Sequence, residues 1–259
     1  MTVRRFLPWL LLTSACGSAT SRGAVVAPVS GAESLSPAQL DSLWANAHTA
    51  FRQGDWSKTI ERVERFNLES PGNDPRRVEG HFLLGEANFA AGRRLEAARE
   101  FRRVSDETPT HPLAADALVR VGDAYADLWR RPELDPTYGS SALSTYEEVL
   151  NRYPGTDAAA RAKTRIAALN DDFALKEYKA AQYYLRMKAW DSAVIYLRDL
   201  LSTYPQAKVA PPALIDLIGT QRTLGYVEDA EQTCGYLRRF HPGTPGTDHV
   251  CPPKISQGP

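Results

Sequence analysis

The chain has 259 residues, of which 31 are basic and 31 are acidic, so its formal net charge at pH 7 is zero. A charge balance this even argues against a protein that binds nucleic acid or an anionic lipid surface by broad electrostatic attraction. The 18 prolines and 17 glycines supply many sites at which a helix can end or the chain can turn.

Residues 1–15 have the three parts of a bacterial signal peptide. Arg4 and Arg5 form a basic start, residues 6–12 form a short apolar core, and small residues lead up to Ala15. The apolar core is far shorter than the roughly 20 residues that a membrane-spanning helix needs. We therefore expect residues 1–15 to be a signal peptide rather than a membrane span.

Cys16 directly follows these small residues, and the segment that ends at Cys16 resembles the lipobox of bacterial lipoproteins. We expect Cys16 to be lipidated and to anchor the chain in a membrane, since two or three acyl chains hold a protein stably. The next residue is Gly17. In bacterial lipoproteins, a residue other than aspartate at this position indicates retention in the outer membrane rather than in the inner membrane. The alternative is an ordinary secretory signal with an incidental cysteine. Residues 16–36 are rich in small residues without periodicity, which predicts a flexible tether.

A recurring spacing begins after Ser36 and Pro37, which are typical of a helix start. A small residue is followed by a turn residue, a second small residue, a bulky residue and then a proline. The clearest copy is Gly85, Gly92, Ala97, Phe101 and Pro109, and other copies begin at Ala47, Gly122, Ala181 and Ile218. The period of about 34 residues is the signature of tetratricopeptide repeats (TPR), which are stacked helix–turn–helix units. The sequence therefore predicts an all-α TPR superhelix with about five repeats.

We assign residues 37–156 to repeats 1–3, and the third of these is interrupted near residues 129–136. Insertions in such stacks form loops, often on a contact face. Trp129 and Arg130 lie in this insertion, and tryptophan and arginine are enriched in interface hot spots. We expect them to be exposed and to contact a partner. The alternative is a neutral surface loop.

No helix breaker occurs from Asp157 to about Met187, so we predict one helix of about 30 residues that enters repeat 4. We assign residues 157–242 to this long helix and to repeats 4 and 5. Residues 243–259 contain much glycine and proline and few apolar side chains, which predicts a loose tail.

Cys234 and Cys251 are the other two cysteines. In an exported protein they can form a disulfide bond, which would pin the tail to the last repeat. The alternative is that Cys234 is simply a small buried residue. The nearby His241 and His249 do not have the spacing of a zinc site, so we expect no metal and no cofactor.

Several stretches together resemble the BamD (YfiO) family of outer-membrane assembly lipoproteins. They are the lipobox, the five repeats with an interrupted third unit, the segment 177–184, Ala189-Trp190 and Tyr204-Pro205. The resemblance implies a periplasmic scaffold at the outer membrane that catalyses no reaction. It also implies that the C-terminal repeats hold the barrel-bearing core subunit of the assembly complex, alongside accessory lipoproteins, and that the N-terminal repeats receive unfolded barrel substrates.

Aromatic side chains recur on the first helices of repeats 1 and 2 at positions expected to face the inner groove. They are Trp44 and Phe51 in repeat 1 and Phe82 and Phe89 in repeat 2, with Arg52 beside Phe51. An aromatic groove could accept the alternate apolar side chains of a barrel strand, and Arg52 could meet a carboxylate. The alternative is that these rings pack between repeats.

Five basic residues of repeats 4 and 5 are candidates for the contact with the core subunit. They are Arg186, Lys188, Arg198, Arg238 and Arg239. The alternative is that they form a solvated face.

Two other classes of function are alternatives to an assembly scaffold. The first is an enzyme, but the sequence contains no catalytic motif that would support it. The second is another envelope TPR lipoprotein, such as a cell-division or peptidoglycan coordinator or a pilus pilotin, which would have the same architecture.

Overall fold

A computed structural model of the chain describes residues 35–252, and every regular element within that range is a helix. The predicted signal peptide, Cys16 and nearly all of the predicted tether lie outside the described residues, as do residues 253–259. The helices are α1 (Pro37–Arg52), α2 (Trp56–Glu69), α3 (Arg76–Ala90), α4 (Arg94–Glu107), α5 (Ala114–Leu128), α6 (Thr137–Arg152), α7 (Asp157–Arg186), α8 (Trp190–Thr203), α9 (Ala210–Thr223), α10 (Val227–Phe240) and α11 (Thr247–Val250).

The first ten helices form five helical hairpins in chain order, and each helix packs against the next one along the chain. This arrangement confirms the predicted all-α stack of five repeats. The first hairpin starts where the sequence predicts. The Ser36 hydroxyl accepts a hydrogen bond from the backbone N–H of Gln39, while the Gln39 side chain accepts one from the backbone N–H of Ser36. This capping box satisfies two of the donors that a helix start leaves without partners.

Within a hairpin, the small residue of the first helix faces the bulky residue of the second. A Cβ atom added to Gly85 would lie 2.5 Å from Cε1 of Phe101, and one added to Gly122 would lie 2.7 Å from Cδ1 of Tyr146. Both rings are completely buried. Glycine at these two positions therefore lets the paired helices approach closely enough for an aromatic ring to fill the contact.

In four of the five repeats, the turn between the paired helices uses a left-handed backbone conformation. Gly54, Gly92 and Gly225 provide it in repeats 1, 2 and 5, with φ values of 73°, 85° and 78°. In repeat 4 the same position is occupied by Lys188, with φ 57°. A side chain with a Cβ atom adopts this region at a cost, so the turn of repeat 4 carries backbone strain that the glycine turns avoid.

The predicted long helix is confirmed as a single 30-residue helix, α7. Its N-terminal half contributes Ala158, Ala162 and Leu169 to the same core cluster as Tyr146. Its C-terminal half contributes to a second cluster, with Leu197 and Leu217 among its members. One continuous helix therefore joins the cores of the third and fourth repeats.

The segment that follows α10 differs from the predicted loose tail. Residues 243–252 are ordered and include α11, which packs against α9 and α10. Cys251 is 1% exposed, and its sulfur is bonded to that of Cys234, with the two Cα atoms 5.7 Å apart. The composition suggests a loose tail because the segment has few apolar side chains. The buried Cys251 and the partly buried Val250 nevertheless pack into the core cluster of the last repeat and hold the segment there. The segment covers the apolar end of the last repeat.

Candidate protein-binding surfaces

The aromatic residues of α1 are half-buried, so each has both an internal contact and an accessible edge. The ring centroid of Trp44 lies 4.8 Å from that of Phe66, and the centroid of Phe51 lies 5.5 Å from that of Trp56. Arg52 is exposed, and its guanidinium group donates a hydrogen bond of 3.1 Å to the Thr49 hydroxyl on its own helix. The guanidinium group of Arg52 is therefore accessible, and Arg52 directly follows the half-buried Phe51 in the chain.

The aromatic residues of α3 are more deeply engaged with the fold. Phe82 is half-buried, with its ring centroid 5.4 Å from that of Phe101 in an edge-to-face contact. The ring of Phe89 has two guanidinium groups near it, those of Arg94 and Arg120, at 4.1 and 4.2 Å from the centroid. Such cation–π contacts stabilise the ring in place. The four predicted groove aromatics thus fall into two pairs in separate core clusters, and the α1 pair has fewer polar neighbours.

A ladder of ion pairs connects the first helices of repeats 2, 3 and 4, and sequence reasoning missed it. Arg120 on α5 donates to both carboxylate oxygens of Glu86 on α3, at 2.6 and 2.8 Å, and to Asp123 at 3.2 Å. Arg165 on α7 lies 3.1 Å from the other oxygen of Asp123. The signal was available, because Glu86 and Arg120 are 34 positions apart, which is one repeat. Charged residues of opposite sign one repeat apart on first helices predict such a ladder.

The same ladder includes a buried phenol. Tyr146 donates a hydrogen bond of 2.8 Å to Asp123. Burial, together with the negative charge of Asp123, raises the pKa of Tyr146 far above its ordinary value, so the phenol keeps its proton and remains a donor. Ion pairs and a buried hydrogen bond therefore fix the relative positions of three successive repeats, which makes the surface they form a preorganised one.

Trp129 is not the exposed contact residue that the sequence predicts. It is 6% exposed, and its ring centroid lies 4.5 Å from that of Phe173 on α7. Gly139 on α6 makes room for it, since a Cβ atom there would lie 2.8 Å from Cδ2 of Trp129. The insertion folds back onto the core because a tryptophan gains more by burying its ring than by remaining in water. Arg130, the next residue, is exposed.

The five basic candidates in repeats 4 and 5 fall into two groups. Arg186, Lys188 and Arg239 are exposed, and the guanidinium group of Arg239 lies 5.2 Å from the ring centroid of Phe240. Arg198 is paired with Asp229 on α10, and Arg238 donates to the backbone carbonyl of Cys251. All five residues are exposed, but the first group is the more readily available to a partner, because Arg198 and Arg238 already have partners in the fifth repeat and its cap.

Two further observations concern metal-holding groups and membrane-spanning helices in the described part of the chain. Within residues 35–252, no three His, Cys, Asp or Glu side chains are close enough together to hold a metal ion. None of the helices in that range has both the length and the apolar character required to cross a membrane.

Comparison with known proteins identifies the family. The profile of the family described as YfiO, outer membrane lipoprotein, matches residues 35–235. Outer membrane protein assembly factor BamD of Vibrio cholerae is 27% identical over 205 residues, covering 74% of this chain and 83% of that protein. The protein of the same name in Caulobacter vibrioides is 22% identical over 204 residues, covering 79% and 67%. Among solved structures, the TPR domain of P58(IPK) covers 79% of this chain and 52% of its own, with a TM-score of 0.44 and 15% identity. Because the family profile runs from before α1 into α10 and so covers most of the chain, the chain belongs to the YfiO family of outer membrane lipoproteins.

Proposed function

We propose that this chain works in the assembly of outer-membrane proteins, as a scaffold that holds other polypeptides and catalyses no reaction. The observation that carries the proposal is the family match over residues 35–235, because it includes the first four repeats and most of the fifth. Relatives in Vibrio cholerae, Caulobacter vibrioides and Neisseria meningitidis are each named outer membrane protein assembly factor BamD. A stack of helical hairpins presents an extended, rigid surface, which suits the binding of protein segments.

The chain acts from the periplasmic face of the outer membrane in this proposal. Lipid attached at Cys16 anchors it, and the residues between Cys16 and Ser36 form the tether to the first repeat. Lipid supplies the attachment, and a near-neutral net charge gives the protein no strong attraction to anionic lipid. Replacement of Cys16 by serine should therefore release the protein from the membrane fraction without changing its fold.

Repeats 4 and 5 bind the barrel-bearing core subunit in this proposal, and accessory lipoproteins add to the same complex. Arg186, Lys188 and Arg239 support this assignment, because their side chains are exposed. Exposed charges mainly accelerate and orient association, so their removal should slow binding and reduce its dependence on salt.

The first repeat receives the unfolded barrel substrate. Phe51 is half-buried, and the exposed Arg52 follows it in the chain. A barrel strand has apolar side chains at alternate positions, and a strand at the end of its chain also has a free carboxylate. The aromatic ring can pack against an apolar side chain of the strand, while the guanidinium group forms a charge-assisted hydrogen bond with the carboxylate.

The test is the affinity of the protein for a fluorescent peptide with the alternating pattern of a barrel strand and a C-terminal phenylalanine. We expect the double variant Phe51→Ala, Arg52→Ala to bind at least roughly tenfold more weakly, since loss of an interface anchor costs more than about 1.4 kcal/mol. The matched control is Leu68→Ala, which removes an apolar side chain that is 83% exposed on α2. It should leave the affinity unchanged.

Circular dichroism and thermal melting must show that the double variant keeps its helices. Equal affinities of the wild type and the double variant would refute the peptide site on α1. Failure to co-purify with the barrel-bearing core subunit from detergent-solubilised outer membrane would refute the scaffold role itself. The two failures are therefore distinguishable.

A further inference from the structure

A cleft of about 560 Å³ lies between the C-terminal half of α7, the start of α9 and the segment that follows α10. This volume is within the range of roughly 300–1,000 Å³ in which protein pockets bind ligands. The helices α7 and α9 supply the first helices of repeats 4 and 5, and stacked hairpins of this kind bind protein segments along their surface. The cleft is separate from the aromatic residues of α1, to which we assign substrate binding.

The carboxylate of Asp216 on α9 lines the cleft and has no cation beside it. Tyr178 on α7 donates a hydrogen bond of 2.7 Å to Oδ2 of Asp216. The other oxygen, Oδ1, has no partner among the described residues, and because Asp216 is only half-buried, the fold does not close this atom off. Burial raises the pKa of Asp216, which is the shift expected of a carboxylate without a neighbouring positive charge.

The basic side chain that lines the cleft is already paired with another carboxylate. The ammonium group of Lys208 lies 2.9 Å from Oδ2 of Asp171 on α7, and the backbone N–H of Lys208 donates to Oδ1 of Asp171, also at 2.9 Å. Asp171 therefore neutralises Lys208, and the charge that remains in the cleft is the negative charge of Asp216.

The rest of the lining is rich in hydrogen-bond acceptors and poor in donors. Four of its 11 residues are prolines, which have a carbonyl group but no N–H. The carbonyl groups of Pro242, Gly243 and Pro245 accept no hydrogen bond from residues 35–252. A matching ligand therefore has a positive charge, several N–H donors, and an apolar stem that packs against the proline rings and Ile215.

An arginine side chain combines these properties. Its guanidinium group has five N–H donors and no acceptor, and it stays charged at every physiological pH. Its methylene groups can cover apolar surface while the charged end reaches a polar partner. The ammonium group of lysine is a compact and more strongly hydrated charge with three donors, so it matches acceptors on two separate segments less well.

We propose that the cleft between α7, α9 and residues 241–245 receives an arginine side chain of a partner protein, whose guanidinium group pairs with the carboxylate of Asp216. This site goes beyond the scaffold role proposed above, since it specifies the chemistry of one anchoring residue. It rests on that role only for the existence of a partner, and it does not depend on which protein of the assembly supplies the arginine.

The first test compares N-acetylarginine methylamide with its citrulline analogue, which has nearly the same shape and no charge. Both probes are titrated into the full mature chain and followed by NMR. We expect the signals of α9 around Asp216 to shift, and the arginine probe to bind roughly fivefold more tightly than the citrulline probe. Equal affinities, or shifts elsewhere than at the cleft, would overturn the proposal.

A pair of variants assigns the preference to one carboxylate. Asp216→Asn keeps the shape and an acceptor for Tyr178 but removes the charge, so it should bind the two probes equally. Asp199→Asn removes an exposed carboxylate on α8 outside the cleft and should retain the fivefold preference. If Asp216→Asn kept that preference, the assigned ion pair would be wrong. Should Asp216→Asn lose its helical circular dichroism, the comparison of the two probes on the wild type still decides.

A third variant tests the C-terminal residues of the same chain as an alternative occupant. Lys254 is basic and lies outside the described residues. We expect Lys254→Gln to leave the affinity for the arginine probe unchanged. A several-fold gain in affinity would show that Lys254 competes for the cleft, and it would overturn the assignment to a partner protein.

The second test identifies the source of the arginine in cells. A photo-crosslinking amino acid replaces Pro212, which is exposed and lines the cleft. The crosslinked peptide of the partner, released by a protease that does not cut at arginine, should contain arginine at the site of attachment or next to it. Adding Asp216→Asn should lower the yield of this crosslink. A peptide without arginine, or a yield that Asp216→Asn does not change, would contradict the proposal and leave the scaffold role untouched.

Discussion

Replacement of Gly85 by alanine tests the close helix contact on which each repeat depends. The added Cβ atom would lie 2.5 Å from Cε1, 2.6 Å from Cδ1 and 2.8 Å from Cζ of Phe101. Phe101 has no exposed surface, so its ring can move away only by displacing neighbours such as Phe82. Overpacking of this kind costs about 1–3 kcal/mol. Three contacts under 3.0 Å with a fully buried ring place the cost at the upper end of that range. Alanine is about 0.5–1 kcal/mol better than glycine inside a helix, so we expect a net loss of about 2 kcal/mol.

The assay is urea unfolding of the variant beside Gly219→Ala. Gly219 is also inside a helix, α9, but a Cβ atom there would meet nothing within 4 Å. Gly219→Ala should therefore raise the free energy of unfolding by about 0.5–1 kcal/mol, so the two substitutions should act with opposite signs. Adding Phe101→Leu to Gly85→Ala should cost less than the sum of the two single changes. If Gly85→Ala were as stable as the wild type, the packing argument would be refuted.

Three further substitutions test other parts of the account. Lys188→Gly should raise the free energy of unfolding by about 0.5–1 kcal/mol in urea, because it relieves a left-handed backbone at φ 57°; a loss of stability would show that the lysine side chain matters there. Trp129→Ala should lower the melting temperature through a loss of about 3–5 kcal/mol, whereas a surface tryptophan would cost little. Tyr178→Phe removes the 2.7 Å hydrogen bond to Asp216 and should cost about 1 kcal/mol at neutral pH. Burial raises the pKa of Asp216 above 3.8 and the bond from Tyr178 opposes that rise, so the difference between Tyr178→Phe and the wild type should shrink as the pH falls and the carboxyl takes up its proton; a difference that stayed constant with pH would exclude this linkage.

The repeated local signals made the fold predictable from the sequence. Each hairpin repeats the same small and bulky positions, and Ser36 and Pro37 give the start of α1 directly. The long helix α7 was predictable because no glycine or proline interrupts it from Asp157 to Arg186. These are short-range properties, and they need no knowledge of which distant residues meet.

The predictions that failed depend on distant contacts. Trp129 is buried because Phe173 and Gly139 meet it in space, and no local pattern announces either contact. The segment around Cys251 has the composition of a loose tail, but a bond to Cys234 orders it. Sequence patterns predict the exposure and order of a residue from its neighbours along the chain. They therefore fail where a contact with a residue distant in the sequence determines burial or order.

The binding sites were the least predictable part. The sequence identifies aromatic and basic residues on suitable helices, but it does not reveal that two arginines occupy the surroundings of Phe89. Nor does it reveal that the buried side-chain oxygen of Gln221 has no hydrogen-bond partner among residues 35–252. Whether a buried polar group has a hydrogen-bond partner depends on how the whole fold packs around it, so only the folded structure reveals it.

The central claim is that this protein assists the assembly of outer-membrane barrels, and its depletion from the cell that makes it is the most direct test. The measurement is the amount of folded barrel protein in the outer membrane, read from the heat-dependent shift of barrels in gel electrophoresis. We predict that folded barrels decline as the protein is depleted, while their unfolded precursors accumulate in the periplasm. Unchanged levels of folded barrels after complete depletion would contradict the account.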